Sequence, residues 1–193
     1  MAPDGSYVLW LVPKCASTTM QRVFRESHRV TPISQIPVKC KRIAIVRQPL
    51  RRLVSTYLDK ILGQRNSGSI SINRSDGDKA IPGIEPGMDF DSFCEVVLEH
   101  PKSNRHWIAQ ADWIASDGRE ADYLVAFEQL PAAWDSLAFL GVPAWPAERH
   151  GVTGFKGNPD SLYSADLKRR LTELYARDLE LCKSALLPLE NER

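Results

Sequence analysis

The feature that most constrains the fold of this chain is a set of short apolar runs that alternate with stretches of helical spacing. The runs at Tyr7–Val12, Ile43–Val46 and Tyr123–Phe127 have the length of single strands, and continuous apolar runs are typical of strands buried on both faces. Strands that alternate with helices favour a parallel sheet. The sequence therefore predicts an α/β protein with a small, mostly parallel sheet flanked by helices.

Helical spacing is clearest after the second run, where apolar residues recur on one side and Pro49 suits the first helical position. Ser164 is well placed to cap the last helix. The predicted helices are Thr18–Ser27, Leu50–Ile61, Asp91–His100, Leu130–Leu140 and Ser164–Leu181. Residues 63–88 are rich in Gly, Ser, Asn and Pro and are predicted to form a mobile surface loop inside one domain, residues 1–193.

Composition excludes several classes of protein. The 25 Lys and Arg residues nearly balance the 24 Asp and Glu residues, so net charge predicts neither a nucleic-acid partner nor an anionic membrane. No apolar run approaches the roughly 20 residues of a transmembrane helix, and the first apolar stretch is too short for a signal peptide. Widely spaced cysteines favour free thiols and no metal site, so we expect a cytoplasmic protein. They are Cys15, Cys40, Cys94 and Cys182.

The first strand is followed by the turn Pro13–Thr19, which opens into a helix as in a P-loop-like three-layer fold. Backbone N–H groups at a helix N-terminus attract anions, small residues let an anion approach, and hydroxyl groups and a lysine add donors. An ATP-type loop would place the lysine after the small residues, whereas here it precedes them. A helix cap beside a solvated lysine fits the same stretch. The candidate anion-binding residues are Lys14, Cys15, Ala16, Ser17, Thr18 and Thr19.

A second anion site is predicted at the end of the second strand. Arg47 follows Val46 directly, and Ser55 lies in the next helix, on the side opposite its apolar stripe. A guanidinium group binds phosphate oxygens in pairs, although this arginine could equally be surface charge. Because the carboxyl ends of parallel strands share one edge of the sheet, two sites there predict a ligand with phosphates at both ends.

The motifs resemble those of sulfotransferases that use 3′-phosphoadenosine 5′-phosphosulfate (PAPS), most closely the glycan type and its bacterial counterparts. PKCAST resembles their 5′-phosphosulfate loop, and IVRQPLRRLVSTYLDK resembles their 3′-phosphate motif. The segments RHWIAQADWI, ADYLVAFEQL and YSADLKRRLTELYARDLELC resemble later parts of the same family. Gln48 stands where the family usually has an acidic residue. The sequence shows no membrane anchor and no paired cysteines like those of the Golgi enzymes, which predicts either a bacterial-type cytosolic enzyme or an excised catalytic domain.

The resemblance implies that Lys14 and the residues after it hold the 5′-phosphosulfate, and that Arg47 and Ser55 hold the 3′-phosphate. It implies transfer of a sulfuryl group from PAPS to a hydroxyl of a glycan or glycolipid, with no metal and with Lys14 stabilising the leaving group.

The general base is open between His106, in the H-W-x-x-Q segment, and His28, between the two phosphate motifs. Trp107 and Gln110 would contact the sugar; the alternative is that His106 and Trp107 only anchor their segment to the core.

Two other functions remain open at this point. An ATP-dependent phosphotransferase would need a carboxylate at a strand end to hold magnesium, and the apolar runs do not end in one. A protein that binds a nucleotide or glycan without turnover would look the same in sequence. Neither the acceptor nor the oligomeric state can be derived from these residues.

Overall fold

The computed structural model describes residues 1–25, 30–63, 81–145 and 157–185. Its contacts divide the chain into two compact units. The first, called the sheet unit, comprises Met1–Arg47, Gln110–Gly151 and Glu180–Arg193. The second, called the helical unit, comprises Gln48–Ala109 and Val152–Leu179. The expectation that residues 1–193 form one domain stays a prediction.

The sheet unit contains three parallel strands in the order β1-β2-β3: Tyr7–Trp10, Lys41–Val46 and Tyr123–Ala126. Ile43 at the centre lies beside Leu9 on one side and Tyr123 on the other. The sheet confirms the predicted α/β fold. It also places the ends of all three strands at one edge, because parallel strands run in the same direction.

Helices follow the strands in the alternation that the sequence predicts. In chain order they are α1 (Ser17–Phe24), α2 (Pro49–Thr56), α3 (Phe90–Glu99), α4 (Gln110–Ile114), α5 (Ala132–Asp135), α6 (Ala165–Leu174) and α7 (Ala176–Ala185). Within the ranges that the structure describes, no helix is both long and apolar enough to cross a membrane.

Two of the predicted helices are broken in the structure. The segment Leu130–Leu140 contains α5, with Pro131 as its N-cap residue, and the 3-10 turn Ala138–Leu140; the α-helix itself ends at Asp135. The long last helix is split at Tyr175 into α6 and α7. The Ser164 cap is confirmed: its hydroxyl oxygen accepts a hydrogen bond from the Leu167 N–H at 3.3 Å.

The helical unit is built on α2, which starts at Pro49 as predicted and continues into a π-helical turn, Tyr57–Ile61. Its core is aromatic, with Phe90 in edge contact with Tyr57 at 5.0 Å and with Tyr163 at 4.9 Å between ring centroids. Edge-to-face pairs of this kind stabilise a core beyond the area that they bury.

The predicted surface loop 63–88 is anchored at its carboxyl end. Ile81 and Ile84 are buried in the core of the helical unit, and the Gly87 N–H donates to the Ile61 carbonyl at 3.0 Å. The two isoleucines therefore pack into a core, and the mobility expected of residues 63–88 stays a prediction. Residues 64–80 lie outside the described residues.

A buried ion pair joins the amino-terminal half of β2 to the loop before β3. The guanidinium group of Arg42, only 1% exposed, donates to both carboxylate oxygens of Asp117 and lies 4.7 Å from the Trp10 ring centroid. Hydrogen bonds from Arg42 lower the pKa of Asp117 from 3.8 to about 2. Because Arg42 is buried, removal of the Asp117 charge would leave the guanidinium group as an uncompensated charge inside the protein.

We predict that Asp117→Asn lowers the free energy of unfolding by about 2 kcal/mol at pH 7, because the ionised carboxylate is what Arg42 stabilises. The pKa of Asp117 is lower in the folded chain, so the stabilisation is full above its unfolded pKa and declines as the pH falls towards 2. At pH 3 the difference between wild type and variant should have fallen by about half. Urea unfolding at both values measures it, with exposed Asp135→Asn as control; an equal difference at both would contradict the ion-pair explanation.

Candidate functional site

The carboxyl ends of the three strands bring together residues that are far apart in sequence. β1 leads into the turn before α1, β2 is followed by Arg47, and β3 is followed by Phe127. At this edge of a parallel sheet ligands bind in α/β proteins generally. These three strand ends make up the candidate site.

The turn before α1 has an unusual backbone. Lys14 and Ala16 have positive φ angles of 69° and 59°, although neither is glycine. A left-handed conformation costs an L-residue roughly 1–2 kcal/mol. Strain of this kind clusters at ligand sites, and left-handed residues within a turn help to direct successive N–H groups towards an anion.

The start of α1 leaves its first turn open to a ligand. The N-cap residue is Ala16, which makes no side-chain cap hydrogen bond, and its carbonyl accepts from the Met20 N–H at 3.0 Å. The interpretation that Ser17 or Thr18 caps the helix is therefore wrong, since both lie inside it. The first N–H groups of a helix have no acceptor within the helix, so they are available to an anion. Thr18 is exposed and Thr19 is buried.

Arg47 is held over this turn by two contacts. Its Nη1 donates to the Lys14 carbonyl at 3.2 Å, and its guanidinium carbon lies 4.4 Å from the Phe127 ring centroid. Stacking on an aromatic face and a backbone hydrogen bond both restrict the rotamers of a long side chain. The sequence did not identify Phe127; the only signal was an aromatic residue at the end of the third apolar run.

Gln110, the first residue of α4, is fully buried next to Arg47. Its Nε2 donates to the Arg47 carbonyl at 2.7 Å, and its Oε1 accepts from the Arg47 N–H at 2.9 Å and from the Cys15 thiol at 3.1 Å. An amide committed in this way leaves little to offer a sugar. The structure therefore corrects the expectation that Gln110 binds the acceptor: it joins the ends of β1 and β2.

In the helical unit, three buried side chains hold the segment that contains His106. Arg52 donates through Nη2 to the Arg105 carbonyl at 3.0 Å and through Nη1 to the Ile108 carbonyl at 2.8 Å. The Thr56 hydroxyl donates to the His106 carbonyl at 3.1 Å, and the Tyr175 hydroxyl donates to the Trp107 carbonyl at 2.6 Å. Hydrogen bonds to successive carbonyls fix a segment that forms no regular helix.

His106 and Trp107 lie on this segment but differ in how far their side chains are buried. The Trp107 side chain is fully buried, donates to the His100 carbonyl at 3.0 Å and contacts the Phe93 ring edge-on at 5.8 Å. A buried ring has no open face for a sugar, so the alternative that Trp107 anchors the segment is the one that the structure favours. His106 is half-buried on the same segment, and its role as a base stays a prediction.

Three more residues singled out in the sequence are Ser55, Gln48 and His28. Ser55 is only 4% exposed, because α2 is buried on nearly all sides and only Arg51 in it is exposed; the prediction of a free opposite face is wrong. Gln48 caps α2 by accepting from the Arg51 N–H at 2.8 Å, which explains how the helix starts without an acidic residue. His28 lies outside the described residues.

Metal ligands and disulfides are absent from the described part of the chain. Among residues 1–25, 30–63, 81–145 and 157–185, no group of three or more His, Cys, Asp or Glu side chains could hold a metal ion. The four cysteines are free thiols. Cys15 is the one that lies in the candidate site.

Comparison with family models identifies a match to a known family. The model of the sulfotransferase family matches residues 1–183, which include every element described above except the last two residues of α7. No curated protein and no solved structure matches the chain significantly.

We predict that Ala16→Gly stabilises the protein by about 0.5–1 kcal/mol, because glycine adopts positive φ without steric cost. Ala16→Val should destabilise it by more than about 1 kcal/mol, since a β-branched residue is poorly tolerated at positive φ. Urea unfolding measures both. Ala165→Gly, at an exposed helical position, is the control and should give no gain; a loss of stability in Ala16→Gly would show that the turn is not left-handed in solution.

Proposed function

The chain belongs to the sulfotransferase family, and from this premise we propose that it transfers the sulfuryl group of PAPS to a hydroxyl of a glycan or glycolipid acceptor. The observation that carries the proposal is the position of the Arg47 guanidinium, hydrogen-bonded to the carbonyl of Lys14. One edge of the sheet thus carries a cationic side chain beside an anion-binding turn. PAPS has negative charge at both its 5′ and 3′ ends, and this arrangement suits it.

The donor would be held by the turn before α1, by Arg47 and by Ser55. The turn from Lys14 to Ala16 and the first N–H groups of α1 would bind the 5′-phosphosulfate, and Arg47 would bind the 3′-phosphate. Ser55 is assigned to the same phosphate from the family motif, and its burial in α2 fits a hydroxyl kept for one specific partner.

The chemistry requires stabilisation of a leaving group and removal of one proton. When bound, the donor supplies a sulfuryl group: the bond from sulfur to the 5′-phosphate oxygen breaks as the acceptor oxygen forms a new bond to sulfur. Lys14 and the N–H groups of the turn would stabilise the charge that grows on the leaving oxygen. Because the turn is already strained into shape, little reorganisation is needed.

His106 would accept the proton of the acceptor hydroxyl. Histidine is the side chain that most often acts as a general base at neutral pH. The bonds from Arg52, Thr56 and Tyr175 support this assignment, since a base has to be held in position to act. The free thiols fit a reducing compartment such as the cytoplasm.

We predict that adenosine 3′,5′-bisphosphate stabilises the wild-type protein by about 2.7 kcal/mol at 100 times its Kd, a shift of about 5–10 °C in thermal unfolding. Arg47→Ala should abolish most of this shift, because the 3′-phosphate loses its guanidinium group. The exposed Arg51→Ala is the matched control and should keep it.

ATP with magnesium and adenosine 5′-monophosphate complete the experiment. A shift with ATP and magnesium but none with the bisphosphate would favour a phosphotransferase and contradict the proposal. A shift in Arg47→Ala equal to that of the wild type would remove Arg47 from the site.

We predict that Lys14→Ala lowers kcat by a factor of roughly 10²–10³, with a much smaller effect on the Kd of the donor, because Lys14 acts mainly on the transition state. Lys14→Arg keeps the charge and should recover part of the loss. Transfer of radiolabelled sulfate from PAPS to an array of glycans measures turnover, with exposed Lys39→Ala as control. Equal losses in donor affinity and in kcat would contradict a role at the leaving group.

A further inference from the structure

We propose that Gln110 is a positioning residue that fixes Arg47 relative to the turn after β1, and so sets the preference of the site for a nucleotide with a 3′-phosphate. This inference rests on the proposed function, because it assigns the 3′-phosphate to Arg47. Gln110 contacts the Arg47 main chain and the Cys15 thiol, so its effect on a ligand would be indirect, through Arg47.

The first observation is that Gln110 binds both main-chain polar groups of Arg47. Its amide nitrogen donates to the Arg47 carbonyl at 2.7 Å, and its amide oxygen accepts from the Arg47 N–H at 2.9 Å. A neighbouring strand would make the same pair of bonds. Beyond the last residue of β2, the side chain of Gln110 therefore continues the pairing that fixes the backbone, and with it the direction of the arginine side chain.

The second observation is that the same amide oxygen reaches the turn after β1. The Cys15 thiol, in a residue 2% exposed, donates to Oε1 of Gln110 at 3.1 Å. A thiol is a weak donor, but Gln110 is itself fully buried, so water does not compete for this bond. One amide group therefore contacts both strand ends that make up the anion site.

The third observation is that these bonds close into a ring. Arg47 Nη1 donates to the carbonyl of Lys14, Lys14 is bonded to Cys15, Cys15 donates to Gln110, and Gln110 binds the Arg47 main chain. A closed ring restrains each member more than a single contact does, because no member can move without breaking a bond elsewhere. Such preorganisation reduces the cost of ordering side chains when a ligand binds.

The consequence is specific to one end of the nucleotide. Without the Gln110 amide, the Arg47 backbone loses the two bonds that Gln110 makes to it, and the ligand has to supply more of the ordering of the guanidinium group. Adenosine 5′-monophosphate lacks the 3′-phosphate, so its affinity should fall by a smaller factor than that of adenosine 3′,5′-bisphosphate. The measurable quantity is the preference ratio, the Kd of adenosine 5′-monophosphate divided by the Kd of adenosine 3′,5′-bisphosphate.

Titration calorimetry on purified full-length chains tests this. In Gln110→Met, which keeps the length of the side chain and removes all three bonds, the preference ratio should fall about tenfold from the wild-type value. In Arg47→Ala it should fall to near one. Gln35→Met, at an exposed glutamine in the sheet unit, is the matched control and should leave both affinities unchanged.

Cys15→Ala separates the two contacts of the amide oxygen. It removes the thiol bond but leaves the pair of bonds to Arg47, so it should weaken both nucleotides by similar factors and keep the preference ratio. A fall in the ratio as large as that of Gln110→Met would show that the thiol contact, and not the pairing with Arg47, sets the preference, and would overturn the inference.

Gln110→Glu keeps the inference testable if the methionine variant does not fold. A carboxylate can still accept from the Arg47 N–H, but it cannot donate to the Arg47 carbonyl, whereas a protonated carboxyl group can. Burial favours the protonated form. At pH 8 the preference ratio should be about tenfold below that of the wild type, and at pH 5.5 the two should approach each other. Because variant and wild type are compared at the same pH, the effect of phosphate protonation on the two affinities cancels.

The outcomes separate the two proposals. If the wild type shows no preference for the bisphosphate, or if Arg47→Ala keeps it, the proposed function fails. If Arg47→Ala loses the preference while folded Gln110→Met keeps it, or while Gln110→Glu equals the wild type at pH 8 with its carboxyl group shown by infrared spectroscopy to be ionised, only the role of Gln110 fails.

Discussion

The pairing of the Gln110 amide with the Arg47 main chain is the interaction on which the candidate site depends. β2 delivers Arg47 to the edge of the sheet, but a strand end has no partner strand to fix its last residue. The buried amide replaces that partner at 2.7 and 2.9 Å and also binds the Cys15 thiol. Because the amide is fully buried, its loss would remove two hydrogen bonds to the Arg47 backbone at a place where water does not readily replace them, which is costly.

The helical unit solves a similar problem with different side chains. Its segment around His106 forms no regular helix, so the carbonyls there need donors from elsewhere. Arg52, Thr56 and Tyr175 supply them from α2 and from the end of α6. Burial raises the pKa of Tyr175, with Arg52 lowering it and Asp178 raising it, so the tyrosine stays a neutral donor. In both units an irregular segment that bears a candidate functional residue is fixed by buried side chains bonded to main chain.

Sequence reasoning found the strands and the strand ends because apolar runs and their order determine a parallel sheet. It found the start of α2 at Pro49 and the cap at Ser164 because both are local effects of one residue on its neighbours. It was wrong about the single helix over Leu130–Leu140, where the α-helix ends at Asp135, and it did not identify the burial of Ile81 and Ile84 within a segment of loop-like composition. Local pattern does not report what a loop packs against.

The sequence by itself determined the sheet and placed Lys14 and Arg47 at one edge of it, because periodicity and chain order are properties of neighbours along the chain. The family was identified by the resemblance of its motifs to those of known sulfotransferases. Only the tertiary structure decided that Trp107 is core, that Gln110 binds Arg47 rather than facing a ligand, and that Phe127 lies under the guanidinium group. These are contacts between residues distant in sequence, and whether an amide or an indole is buried depends on which distant segment covers it.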